Sequence, residues 1–258
     1  MNSLITKPGV HVLILLWAIA SFVFFQFFYS YHLFYQEQNQ LFLFSWDYII
    51  TYLDKPGWLA CLAGDFLTQF YYYRYAGPTI LTLSILMAGY NVRCGVEDTD
   101  IKGTWIPYTI AIAVMTMLAC FSFHYDYRLS SIIAVAGGAN VFRFSTKILV
   151  STRMFVKKLE SLAEQHTSLD GTRLPQWITA FSIFTSMLVC HWFFGCGMWV
   201  YAALVLLGCL KYINKPGNYT RLAAIAIPLF IIMLDKRLYF IDFHTLYTYP
   251  GLGKFVKP

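Results

Sequence analysis

The residues best suited to chemistry are four carboxylates in a polar and aromatic stretch between the first two apolar segments of the chain. They are Glu37, Asp47, Asp54 and Asp65. A carboxylate held at the edge of a bilayer under aromatic cover can have a raised pKa, so it can act as a general base or bind a metal ion. The alternative is a solvated charge or a helix cap. Asp54, which precedes Lys-Pro-Gly, fits turn chemistry.

The sequence GDFLTQFYYYRYAGP, residues 64–78, places amide, aromatic and basic side chains beside Asp65. Gln69 and Tyr72 belong to it and are candidate substrate-binding residues together with Asp65. Tyrosines are also enriched where membrane helices meet water. The stretch is therefore predicted to be an aromatic collar at a membrane surface first, and the wall of a site second.

Two later segments carry titratable residues that are expected on the same side of the membrane. FHYDYRLS contains His124, Asp126 and Arg128, and the C-terminal tail contains Arg237. A His two residues from an Asp is a weak indication of a metal or acid–base site, and a solvated pair is the plainer alternative. A divalent metal cofactor has no ligand motif to support it. These residues are predicted to converge with the loop carboxylates on one membrane face.

The composition indicates which elements position these residues. Of the 258 residues, 58% are hydrophobic and 12% are charged, and the mean hydropathy is +0.56. A soluble domain carries about 25% charged residues, so the chain is predicted to be an integral membrane protein. Its net charge of +6 does not indicate nucleic-acid binding. The Lys and Arg residues lie in short connections between apolar segments, where they usually report topology.

The expected fold is all-α, a polytopic transmembrane helix bundle that forms a single domain over residues 1–258. The first apolar segment is too long for a signal-peptide core and is expected to be a retained span. The fourth is the weakest because it contains Arg143 and Lys147, and its Gly137-Gly138 pair is predicted to allow close helix packing rather than a kink. A span needs about 20 mostly apolar residues, and seven candidates lie at approximately 10–30, 77–92, 104–123, 129–146, 176–194, 197–213 and 219–235.

Basic residues orient this bundle. With the N-terminus in the cytoplasm, twelve of the 19 Lys and Arg residues fall in cytoplasmic segments, which is the bias that membrane topology favours. The segment 146–175 is then cytoplasmic. Its basic amphipathic part, 146–166, is predicted to contact lipid headgroups, with a protein partner as the alternative.

The loop 31–76 is extracytoplasmic in this topology. Two helical blocks are expected in it, separated by Asp54-Lys55-Pro56-Gly57, and each should lie in the membrane interface with its apolar face down. The first block has one apolar face, formed by Leu43, Trp46, Ile50 and Leu53. Membrane lipid is therefore an expected partner of the loop.

The sequence FYQEQNQLFLFSWDYIITYLDKPGWLACLAGDFLTQFYYYRYAGP resembles the start of an uncharacterised family of bacterial polytopic membrane proteins of unknown function. In that family a similar loop, with PGG and LTQFYYYP followed by Gly, comes after the first span. The resemblance covers mainly residues 30–90 and implies the bacterial cytoplasmic (inner) membrane. Members often continue into a soluble C-terminal region, so a short member and a truncated member are both open alternatives.

The layout also resembles that of GT-C-type membrane glycosyltransferases, which use polyprenyl-phosphate sugars. This resemblance implies a catalytic carboxylate shortly after the first span, where Glu37 and Asp47 lie, a lipid-phosphate donor and sometimes a divalent metal. Neither residue has the acidic neighbour of the usual paired-acid motif. In such an enzyme Arg128 or Arg237 would steady the departing lipid phosphate, and the aromatics of 71–75 would contact sugar or isoprenoid.

Two functions therefore stay open, with a transporter as a third that scarce intramembrane charge and the lack of inverted repeats disfavour. The first is a GT-C-like glycosyltransferase, which requires Glu37 or Asp47 to line a cavity that opens to lipid, with Arg128 or Arg237 opposite. The second is a non-catalytic membrane subunit or anchor of a cell-envelope complex, which docks partners through 146–166 and the aromatic loops. It predicts that those carboxylates are exposed or cap a helix and line no cavity.

Overall fold

A computed structural model describes residues 7–39, 42–53, 55–99, 103, 105–124, 126–163, 176–210 and 222–229, and all structural statements concern these residues. They are all-α and contain no strand, as predicted. The helices are α1 (Lys7–Phe27), α2 (Ser30–Asn39), α3 (Trp46–Leu53), α4 (Trp58–Thr68), a 3-10 turn (Gln69–Tyr72), α5 (Ala76–Asp98), α6 (Ile106–Phe121), α7 (Leu129–Ala163), α8 (Gln176–Phe194) and α9 (Gly197–Leu210), and residues 222–229 are also helical.

Three helical segments are long and apolar enough to cross a membrane: Gly9–Phe27, Ala76–Asp98 and Leu129–Ser151. Shorter apolar helices cover Ile106–Phe121, Thr179–Phe194 and Gly197–Cys209. A helix thus lies at each of the seven predicted positions, and the seventh is represented by 222–229 because the remainder of 219–235 falls outside the described residues. Three candidate spans support a membrane protein; the number seven stays a prediction.

The fourth predicted span and the segment after it form one helix, α7, of 35 residues. Arg143 lies within this helix, and its guanidinium Nε is 3.6 Å from Asp98 Oδ2 at the end of α5. The backbone of 146–163 continues the same helix, and 164–175 lie outside the described residues.

Close backbone packing joins α7 to the turn between α8 and α9. A Cβ atom on Gly138 would overlap the carbonyl of Gly197, and one on Gly137 would overlap the Phe194 ring. Only glycine lets two backbones approach this closely. The Gly-Gly pair therefore serves helix packing, as the sequence predicts.

Two buried apolar clusters share the central helices α5 and α7. One includes Val96, Met187 and Tyr201 and joins them to α8 and α9. The other includes Phe25 and Met115 and joins them to α1 and α6. Outward-facing apolar side chains remain exposed, as lipid contact requires; examples are Val12, Leu13, Leu16 and Ile19 of α1 and Leu83 and Met87 of α5.

One end of the bundle, here called the loop face, holds the C-terminal ends of α1, α6 and α8 and the N-terminal ends of α5, α7 and α9. The helices α2, α3 and α4 cover it. The Tyr29 hydroxyl, just after α1, donates a hydrogen bond to the Phe123 carbonyl (3.1 Å) just after α6. The two predicted blocks of 31–76 are α3 and α4, and α2 is an additional helix.

Candidate functional site

The turn Lys55-Pro56-Gly57 fixes where α4 begins. Gly57 has φ 79°, a left-handed conformation that favours glycine. Its N–H donates a 2.8 Å hydrogen bond to the carbonyl of Trp192 near the end of α8. The start of α4 is therefore fastened to the bundle through the backbone.

Gly64 brings the middle of α4 against the start of α7. A Cβ atom on Gly64 would lie 2.6 Å from the Cα atom of Ser130, so no larger residue fits without moving one of the helices. Asp65 follows directly and comes beside Arg128, which precedes α7. Two candidate residues far apart in sequence thus meet at the loop face.

Asp65 is the centre of this polar contact and is only 7% exposed. The Tyr52 hydroxyl donates a 2.7 Å hydrogen bond to Asp65 Oδ2, and Arg128 Nη1 lies 3.9 Å from Oδ1. The Tyr48 and Tyr52 hydroxyl oxygens are 2.7 Å apart. Since Tyr52 donates to Asp65, Tyr48 donates to Tyr52. We call Tyr48, Tyr52, Asp65 and Arg128 the Asp65 cluster.

Burial dominates the electrostatics of this cluster. It raises the pKa of the Asp65 carboxyl, against the hydrogen bond from Tyr52 and the charges of Arg128 and Lys55. Burial and the charge of Asp65 raise the pKa of Tyr52. Burial lowers the pKa of Arg128, and Asp65 opposes that shift. The cluster therefore contains a carboxyl that holds a proton more readily than an exposed Asp.

A second buried polar contact fastens α2 to the turn before α7. Gln36 Nε2 donates a 2.8 Å hydrogen bond to the Tyr127 carbonyl and lies 3.4 Å from His32 Nε2. Burial lowers the pKa of His32, which favours the neutral imidazole. This pair and the pair Tyr48 and Tyr52 were not among the residues predicted from the sequence. Each has the four-residue spacing that puts two side chains on one helical face, which could have indicated both.

The other predicted site residues are more dispersed. Glu37 is half-buried on α2, and Asp47 is exposed in the first turn of α3. His124 and Asp126 are exposed in the turn before α7, and Gln69 is half-buried. Arg237 lies outside the described residues. Within the described ranges, no group of three or more His, Cys, Asp or Glu side chains could hold a metal ion.

Tyr72 lines a pocket of about 280 Å³ between α1, α2, the 3-10 turn and α5. Arg74 also lines it, whereas Glu37, Asp47 and Arg128 do not. The carboxylates for which the resemblance implied catalysis therefore do not face this pocket.

The fold and this site define an all-α protein with candidate membrane spans and a polar loop face. The sequence profile of a family of unknown function, DUF6057, matches residues 5–256, and the chain belongs to that family. No curated protein and no solved structure matches it. The expected membership of a family of unknown function is confirmed, and the likeness to GT-C-type glycosyltransferases stays a prediction.

Proposed function

We propose that the chain is a multi-pass protein of the bacterial cytoplasmic membrane that acts as a non-catalytic subunit or anchor of a cell-envelope complex. In this proposal it has about seven spans, a cytoplasmic N-terminus and an extracytoplasmic loop face. The three candidate spans support the membrane location. The basic residues of the connections support the orientation.

The observation that carries the proposal is the orientation of α3. Tyr48 and Tyr52 turn towards Asp65, while the opposite face exposes Trp46 (70% exposed), Ile50 and Leu53. Because the Asp65 cluster binds the opposite face of α3, the orientation of this apolar face is fixed. Exposed apolar surface on a well-anchored element is typical of an interaction site.

The positions of Glu37 and Asp47 support a non-catalytic role. Asp47 is exposed and lies in the first turn of α3, where a negative charge stabilises the positive end of the helix dipole. Neither carboxylate lines the pocket that contains Arg74. Asp47 is exposed, as the subunit alternative predicts, whereas Glu37 is half-buried and agrees with that alternative only in lying outside this pocket.

Photo-crosslinking in the native bacterial membrane tests the proposal. A photoreactive amino acid at Trp46 should give a protein adduct of one defined mass. The matched control is Leu16, an exposed apolar residue of α1, which should crosslink only lipid. If Trp46 crosslinks only lipid as well, α3 lies on the bilayer surface and the docking proposal is wrong.

A second function, GT-C-like transfer from a polyprenyl-phosphate sugar, is favoured by one contact. Asp65 lies in the first loop, its pKa is raised, and Arg128 is 3.9 Å away. In this alternative Asp65, rather than Glu37 or Asp47, deprotonates the acceptor hydroxyl, and Arg128 steadies the departing phosphate. Because Asp65 is buried under Tyr52, the hydrogen bond between them would have to open first.

An assay of the purified protein with a labelled polyprenyl-phosphate sugar separates the two functions. Turnover by the unmodified protein that Asp65→Asn abolishes and Asp47→Asn preserves would establish the enzyme and overturn the subunit proposal. Turnover that depends on Glu37 or Asp47 would instead assign catalysis to the carboxylates that the GT-C resemblance implies. Absence of turnover in every preparation would end the glycosyltransferase alternative.

A further inference from the structure

The pocket near the end of α1 has a mixed lining. Its polar side chains include Gln26, Ser30, Tyr71 and Arg74, and its apolar wall includes Phe27. The volume of about 280 Å³ is close to the lower end of the range of about 300–1,000 Å³ for small-molecule pockets. It has room for a small polar group rather than a long chain.

Two buried polar atoms of this lining have no hydrogen-bond partner within the described residues: Gln26 Oε1 and the Tyr71 hydroxyl. Gln26 is 5% exposed and Tyr71 is 4% exposed. Buried polar atoms are normally hydrogen-bonded, and an unsatisfied one destabilises the fold. Burial raises the pKa of Tyr71, so its hydroxyl stays protonated and can donate. Both residues line the pocket, so a ligand bound there would lie beside one unsatisfied acceptor and one unsatisfied donor.

The charge of the pocket selects an anion. Arg74 contributes a guanidinium to the lining, and none of the described lining residues is acidic. The Arg74 guanidinium lies 5.7 Å from the centre of the Tyr75 ring, a contact that leaves its N–H groups available. Guanidinium groups bind phosphate through paired hydrogen bonds.

The outer surface of α1 continues from the pocket. Phe27 both lines the pocket and is 71% exposed. Leu16, Ile19 and Val23 precede it at helical spacing and are also exposed. An apolar track that starts at the mouth of an anion-selective pocket fits a molecule with a phosphate at one end and hydrocarbon chains at the other.

We propose that this pocket binds the headgroup of an anionic membrane phospholipid that carries hydroxyl groups, such as a phosphoglycerol headgroup. The phosphate lies against Arg74, a headgroup hydroxyl donates to Gln26 Oε1, and the Tyr71 hydroxyl donates to a lipid oxygen. The acyl chains follow the α1 track. The site is separate from the Asp65 cluster and does not depend on whether the protein is a subunit or an enzyme.

Lipid binding to the purified protein in a neutral detergent tests this proposal, with native mass spectrometry and thermal unfolding as readouts. Phosphatidylglycerol should bind and raise the melting temperature. Phosphatidylcholine with the same acyl chains should bind at least about tenfold more weakly, because it lacks the net charge and the hydroxyl groups. Soluble glycerol phosphate should give little shift because it lacks the chains. An equal shift with glycerol phosphate, or equal binding of both phospholipids, would overturn the proposal.

Variants locate the site. Arg74→Gln should weaken phosphatidylglycerol binding about tenfold, whereas Lys147→Gln, which removes an exposed charge at the other end of the bundle, should not. Tyr71→Phe removes the unsatisfied hydroxyl and should leave the lipid-free melting temperature unchanged or higher, while reducing the lipid-induced shift. Tyr73→Phe, an exposed neighbour outside the pocket lining, should preserve that shift. If Arg74→Gln and Tyr71→Phe both bind as the unmodified protein does, the lipid occupies another site and the assignment is wrong.

Discussion

The Tyr52 hydroxyl donates a 2.7 Å hydrogen bond to Asp65 Oδ2 and so ties α3 to α4 across the Lys55-Pro56-Gly57 turn. The same carboxylate faces Arg128 before α7. One acidic side chain therefore holds the outer helix α3 and the bundle in a common arrangement. The stability of the loop face should depend on it.

Tyr52→Phe should destabilise this arrangement, because it leaves a buried carboxylate oxygen without its donor. A loss of about 1–3 kcal/mol is expected, measured as a lower unfolding midpoint in detergent. Tyr48→Phe is the matched control, since it removes the hydrogen bond to Tyr52 and leaves the one to Asp65. Equal effects of the two variants would mean that the hydrogen bond to Asp65 contributes no more to stability than the one between Tyr48 and Tyr52.

Asp65→Asn should change the pH dependence of stability. Because burial raises the pKa of Asp65 in the folded state, the folded protein binds this proton more tightly than the unfolded chain does, and lower pH favours folding. The contribution is fully present below the unfolded pKa, near 3.8, and is lost as the pH rises through the higher folded pKa. The stability of Asp65→Asn relative to that of the unmodified protein should therefore be higher at pH 7 than at pH 4.

Melting curves of both proteins across that pH range provide the measurement. The altered contact with Arg128 in Asp65→Asn adds a difference in stability that changes little over this range, so the slope of the difference is the quantity to compare. A flat difference between Asp65→Asn and the unmodified protein would contradict the assigned direction of the pKa shift.

Gly64→Ala should destabilise the protein, because the new Cβ atom would lie 2.6 Å from the Ser130 backbone. Overpacking of this kind costs about 1–3 kcal/mol. Gly208→Ala in α9 is the control. Its Cβ atom would meet only the Thr99 side chain at 3.8 Å, so the substitution should be neutral or stabilise the helix by roughly 0.5–1 kcal/mol. Thermal unfolding of both variants checks the contrast.

The proposed orientation predicts where cysteine labels react. In a variant without its six native Cys residues, Lys55→Cys should react with a membrane-impermeant maleimide in intact spheroplasts. Lys147→Cys should react only after the membrane is permeabilised. Both side chains are exposed on the protein, so the difference reports membrane sidedness. The reverse pattern would place the loop face in the cytoplasm.

Apolar length predicted the helices well, because a long apolar segment has few other stable structures in a membrane. The helix α2, Ser30–Asn39, was missed, since SYHLFYQEQN has a mostly polar second half. Its helical form is fastened by the Gln36 contact with Tyr127, which depends on tertiary packing. The sequence predicts a span over 129–146 and a basic amphipathic helix over 146–166, and the structure joins the two in the single helix α7.

The site was predicted only in part. The predicted membrane topology places Asp65 and Arg128 on the same face, and the structure brings them into contact. That Tyr52 would cover the carboxylate depends on tertiary packing, in which Gly57 contacts α8 and Gly64 contacts α7. No pattern along the chain encodes those partners. The pocket lined by Gln26 and Tyr71 likewise forms from separate helices.

The helix α7 has a mechanical consequence. Its 35 residues extend about 52 Å at about 1.5 Å per residue, whereas the hydrocarbon layer is about 30 Å thick. In the proposed topology roughly 20 Å of it therefore stands beyond that layer, on the side opposite the loop face. Because the helix is unbroken, a small tilt at its start, where Arg128 meets Asp65, would displace its other end, on the opposite side of the bilayer, by a larger distance.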